Sequence, residues 1–194
     1  MKQPVPPISP SAAPGGSAAV DDEERMEILP GSEDPDFLDL PEPHLTALEG
    51  AFHDALEMHR KGKRDACLVA LKDILRREPR LAEPRLEMAS LYLEMGRLDD
   101  AEAEAREGLR ILDAGGQWTL DIPDNVLLAH ACDLLAETLR QKLGEDDVIF
   151  GDADAYQQIT AETRSLYQRA LELNPNDEDA DYYAAFMGKG PAEA

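Results

Sequence analysis

"LYLEMGRLDDAEAEAREGLRIL", residues 91–112, is the stretch on which the fold turns. Leu91, Tyr92 and Met95 lead up to Gly96, and Ala101, Ala105, Gly108, Leu109 and Leu112 follow at the three- and four-residue spacing of one helix face. Asp99 and Asp100 stand where a second helix would begin, at the positive end of its dipole. The stretch therefore reads as a helix, a glycine turn and a second helix.

Sliding the sequence against itself shows that this hairpin recurs. At an offset of 34 residues Ala55 falls on Ala89, Met58 on Tyr92, Gly62 on Gly96, Cys67 on Ala101, Leu71 on Ala105, Ile74 on Gly108 and Leu75 on Leu109. Ala55, Cys67, Ala89 and Ala101 are small where paired helices must cross closely, and Gly62 and Gly96 supply the turns. Pro79 stops the second helix of the first unit, and Arg76 and Arg77 sit at that helix's negative end.

A third, stretched unit follows. "DLLAETLRQKLG" repeats the first-helix pattern with Leu135, Ala136 and Leu139, and "SLYQRALELNPND" repeats the end of a second helix with Tyr167, Ala170, Leu171 and Pro175. About 13 residues enter before this unit, around "GGQWTLDIPDN", and about 15 between its helices, around "GEDDVIFGDADAYQQ". "NDEDADYYAAFMG" reads as a closing helix whose Tyr182, Tyr183, Phe186 and Met187 would cover the last apolar edge.

The repeated residues resemble the tetratricopeptide repeat, with departures at Asp54 and Met58 in the first unit and Asp113 at the close of the second. The resemblance implies an all-α fold, a right-handed stack of antiparallel helix pairs made of about three repeats and a C-terminal capping helix. The expected organisation is a disordered arm over 1–43 and a helical domain over 44–188. Its repeats lie near 48–80, 82–113 and 125–175, with a cap helix at 177–187 and a flexible tail at 189–194. The arm is rich in Pro, Gly and Ser and then in acid, and cannot bury enough apolar surface to offset chain entropy. Deleting it should leave the thermal midpoint and the helical circular dichroism per folded residue unchanged; a fall of several degrees would make the arm part of the fold.

Charge narrows the function. The 194 residues carry 41 acidic and 19 basic side chains, a formal net charge of −22, which repels nucleic acid and anionic membrane surfaces. The excess is uneven: residues 44–85 carry a small positive balance, while the arm and the remainder are acidic. Arg60, Lys61, Lys63 and Arg64 surround one turn without interleaved aromatics, as solvated turn residues do. Attraction of this basic region to an acidic segment, the chain's own Phe37–Pro43 "FLDLPEP" included, fits better than nucleic acid. No run of 18 apolar residues occurs and no apolar leader opens the chain, so a cytoplasmic protein without membrane insertion is expected. Cys67 and Cys132 read as small buried side chains of a reducing compartment.

No motif points to catalysis, to a cofactor or to a metal. There is no glycine-rich phosphate loop, no GxSxG, no HExxH and no CxxC. His53 and His59 fall on different sides of their helix, His44 and His130 stand apart, and Asp146, Asp147, Asp152 and Asp154 lack the spacing of a calcium loop. The acids are read as solvated loop and helix-capping residues, and Trp118 as a residue that pins the first insertion onto the stack.

In proteins of this resemblance the first helices line a concave groove through positions three before, one after and four after the small crossing residue. Counted from Ala55, Ala89 and Ala136, these are Phe52, Leu56 and His59; Leu86, Ser90 and Leu93; and Asp133, Glu137 and Arg140. One subset of the family clamps a C-terminal carboxylate of chaperones with Lys and Asn at the first two positions. Phe52, Leu86, Leu56 and Ser90 stand there instead. The expected function is a non-catalytic adaptor or scaffold that binds a helical or extended partner segment with Leu or Phe anchors. The alternative is a bacterial secretion-type chaperone holding hydrophobic segments of a client protein. Leu86→Asp with Leu56→Asp is expected to abolish partner binding at little cost in stability, because both side chains should face solvent.

Overall fold

The computed structural model describes residues 42–118 and 122–176, and the predicted cap helix and nearly all of the arm lie outside them. Seven helices occur among the described residues: α1 (Glu42–Arg60), α2 (Arg64–Arg77), α3 (Glu83–Glu94), α4 (Leu98–Asp113), α5 (Asp124–Lys142), the single-turn α6 (Asp146–Ile149) and α7 (Ala153–Leu173). They pair as α1 with α2, α3 with α4, and α5 with α7. The first helix starts at Glu42, so two residues assigned to the arm, Glu42 and Pro43, begin α1.

The turns form for the reason glycine was expected in them. Gly62 has φ +71° and Gly96 φ +69°, left-handed conformations that side chains disfavour. Each lets the chain fold back: Lys63 N–H reaches the Met58 carbonyl at 2.9 Å and Arg97 N–H the Tyr92 carbonyl at 2.8 Å, closing the preceding helix. The crossing residues Ala55, Cys67, Ala89, Ala101 and Ala136 are fully buried. In the third pair the position equivalent to Ala101 is Thr163, whose buried hydroxyl donates to the Ile159 carbonyl at 2.8 Å.

The extra length of the third unit goes partly into longer helices. Helix α5 runs 19 residues against 12 in α3, and α7 runs 21 against 16 in α4. Asp152 caps α7, its carboxylate accepting the Asp154 N–H at 2.9 Å, so the acid-rich loop becomes helical sooner than its composition suggests.

Two apolar clusters share α3. One holds Leu48, Ala55, Cys67, Leu71, Ile74, Met88, Leu91 and Tyr92; the other holds Leu86, Ala89, Leu109, Leu112, Leu135, Leu139, Tyr167 and Ala170. Helix α3 thus sends apolar side chains into both clusters, as befits the middle of a stack. Ala89→Leu should cost about 1 to 3 kcal/mol, because added atoms force α3 away from its neighbours. A variant with an unchanged urea midpoint would contradict the burial of that position.

Charged side chains tie neighbouring pairs together. Lys142 of α5 donates to Asp99 at 2.6 Å and to Glu102 at 2.7 Å on α4, and Arg106 of α4 grips Glu162 of α7 through two hydrogen bonds. Arg169 and Asp113 form a second bridge between α4 and α7. Between pairs, α2 packs on α3 and α4 on α5, and the first helices meet where α3 touches α5 and His59 of α1 pairs with Glu87 of α3.

Candidate functional site

Eight of the nine residues expected to line a groove are half-buried, accessible side chains of the first helices: Phe52, Leu56 and His59 on α1, Ser90 and Leu93 on α3, and Asp133, Glu137 and Arg140 on α5. Leu86 is the exception, and its assignment to a solvent-facing groove is overturned. It is 3% exposed and packs against Gly108 of α4, where even a single added carbon would approach a Leu86 methyl to 2.8 Å. The absent side chain at Gly108 leaves a space, and Leu86 fills it.

Trp118 changes the remaining apolar part of this face. Its ring tilts against Phe52 at 5.7 Å between centroids, and its N–H along the backbone donates to the buried Glu83 carboxylate at 2.9 Å. The linker after α4 is thereby pinned across the start of α3 as far as α1, the pinning role expected for this indole. Leu56 belongs to neither cluster, whereas Leu93 packs against both. Leu56 and Ser90 are consequently the positions on this face where a substitution disturbs the core least.

Beside the apolar residues lies a charged knot that sequence spacing did not reveal. His59 Nδ1 pairs with Glu87 of α3, its Nε2 pairs with Glu94 at 3.1 Å, and Arg64 Nε donates to the same Glu94 at 2.8 Å. Partial burial opposes a charge on His59, yet the Glu87 and Glu94 carboxylates outweigh it and raise the imidazole pKa above its ordinary value. A raised folded-state pKa contributes stability that is complete below the unfolded value near 6.5 and is lost as pH rises through the folded value. Wild type should therefore lose stability relative to His59→Gln between about pH 6 and pH 8, where histidine sheds its proton. Parallel pH profiles of the two proteins would contradict the ion pairing.

At the α5 end, Glu137 accepts two hydrogen bonds from Arg140 at 2.6 Å, one from Gln141 at 2.8 Å and one from the Tyr167 hydroxyl at 3.2 Å. Burial alone would raise its pKa; these donors and the guanidinium charge outweigh burial and hold it below the usual carboxylate range. The face thus runs from apolar at α1 to a satisfied ionic cluster at α5.

Among the described residues no three His, Cys, Asp or Glu side chains gather as metal ligands, and no helix is long and apolar enough to cross a membrane. Cys67 and Cys132 are free and buried, and burial pushes both thiols up to about 11, far from the thiolate that a redox role needs.

No family model matches the sequence, and no curated protein matches it. Among solved structures the chain is similar to the first TPR of Spaghetti (RPAP3) bound to the HSP90 peptide SRMEEVD. The similarity has a TM-score of 0.53 at 14% identity and covers 73% of this chain and 90% of that one. The paired helices, their glycine turns and this likeness together give the chain the fold of a tetratricopeptide-type helical stack.

Proposed function

We propose that the protein is a non-catalytic adaptor that grips a segment of another protein along its first-helix face, the concave side of such stacks. The observation that carries this reading is the accessible row of Phe52, Leu56, Ser90 and Leu93 on two adjacent helices, ending in the ionic cluster on α5. Leu or Phe anchors of a helical or extended segment suit it.

An acidic peptide such as SRMEEVD, bound by the similar TPR, suits it less. The positions where the carboxylate clamp has Lys hold Phe52 and Leu86, and those where it has Asn hold Leu56 and Ser90. The nearby cations His59 and Arg64 are already paired with Glu87 and Glu94.

The test is copurification with wild type and with Leu56→Glu combined with Ser90→Glu, followed by mass spectrometry. The wild type should retain a partner that the double variant, folded with an unchanged circular dichroism spectrum, loses. Equal recovery by both proteins would place binding elsewhere.

A further inference from the structure

The first two helix pairs turn through three residues, 61–63 and 95–97, whereas the third uses ten, 143–152. This longer connection displays apolar side chains instead of hiding them. Phe150 is 82% exposed and Ile149 49%, and Tyr156 in the first turns of α7 is 39% exposed. Single exposed apolar residues are ordinary on protein surfaces; three within eight positions, with Phe150 almost wholly in water, call for a cover. Helix α6 packs against α7, so the connection is held to the stack.

The segment that carries these residues is acidic. Residues 143–163 contain six acids and no Lys, Arg or His, and Glu145, Asp152 and Asp154 are exposed. We propose that the surface formed by Ile149, Phe150 and Tyr156 docks a basic segment of a partner protein. A Leu, Ile, Met or Phe of that segment rests on Phe150, and its flanking Lys or Arg meet the carboxylates.

Charge selects this occupant over the others. Residues 1–41 carry nine acids against two cations, and residues 177–194 carry five acids against one. Either terminal segment would bring negative charge to a negative surface, and so would a second copy of the same surface. A basic partner meets no such opposition and gains steering from the field of the whole chain. The surface lies at the turn end of the third pair, apart from Leu56 and Ser90, so the two sites can fail independently.

The probe is an array of peptides about 12 residues long in which Lys or Arg flank one or two Leu, Ile, Met or Phe, with matched arrays in which the apolar residues become Ser or the cations become Glu. The full chain should bind members of the first array and none of the matched ones. Phe150→Ser with Ile149→Ser should weaken that binding about tenfold or more, as loss of an interface anchor does. Val69→Ser, at an exposed apolar position on α2, and Leu56→Glu with Ser90→Glu should leave it unchanged. Equal binding of the Ser-substituted peptides, equal binding by the Phe150 variant, or no binding by any member would overturn the proposal. So would sedimentation showing a wild-type dimer that the Phe150 variant breaks, or peptide binding that appears only after deletion of residues 1–41 or 177–194.

Discussion

Leu86→Asp should leave the domain largely unfolded. Removing a buried leucine costs about 2 to 5 kcal/mol, and a carboxylate placed against Gly108 would add the penalty of an unpaired buried charge. Domains of this size hold only about 5 to 15 kcal/mol in total. Leu86→Met, which keeps the volume, should cost under about 1.5 kcal/mol. Circular dichroism during a thermal ramp separates the two. A Leu86→Asp protein that melts like wild type would return Leu86 to the solvent-facing surface.

Tyr167→Ala should be the next most damaging change. Tyr167 on α7 is 1% exposed among Leu135, Leu139 and Ala170, and truncating a buried aromatic costs about 3 to 5 kcal/mol. Its hydroxyl contributes less. Tyr167→Phe removes one of several donors to Glu137, which keeps Arg140 and Gln141, so about 1 kcal/mol is expected. Urea midpoints for the pair should differ widely. Similar midpoints would mean that the hydroxyl, and not the packed ring, holds α7 to α5.

The repeat was legible because its physical causes are local. A glycine that must adopt positive φ and a small residue at a helix crossing leave marks at fixed positions, and Gly62, Gly96, Ala55 and Ala89 serve as those marks indicated. Ala136 was named on the first helix of the third pair, but the crossing residue on its second helix was not, since Thr163 is larger than its counterparts and lies beyond the stretched connection. Leu86 was misplaced by a positional rule that ignores volume. The sequence did hold a warning: Ile74 aligns with Gly108, so the second pair lacks a large side chain that the first one has, and some neighbour must fill the space.

The candidate site was less legible because it depends on distances between units. Glu87 and Glu94 are unremarkable acids of α3 until the stack brings them against His59 of α1. Nothing in local spacing fixes that meeting, nor the reach of Trp118 from the α4–α5 linker to Phe52. The connection around Phe150 read as acid-rich loop, and its exposure follows only from how α6 and α7 are held.

The central claim, that a partner lies along the first-helix face, is tested most directly by hydrogen exchange with the copurified partner bound and removed. Slowed exchange is predicted in segments 48–60, 86–95 and 133–141, which carry Leu56, Ser90 and Glu137. Slowed exchange confined to α2, α4 and α7, with those three segments unchanged, would contradict it.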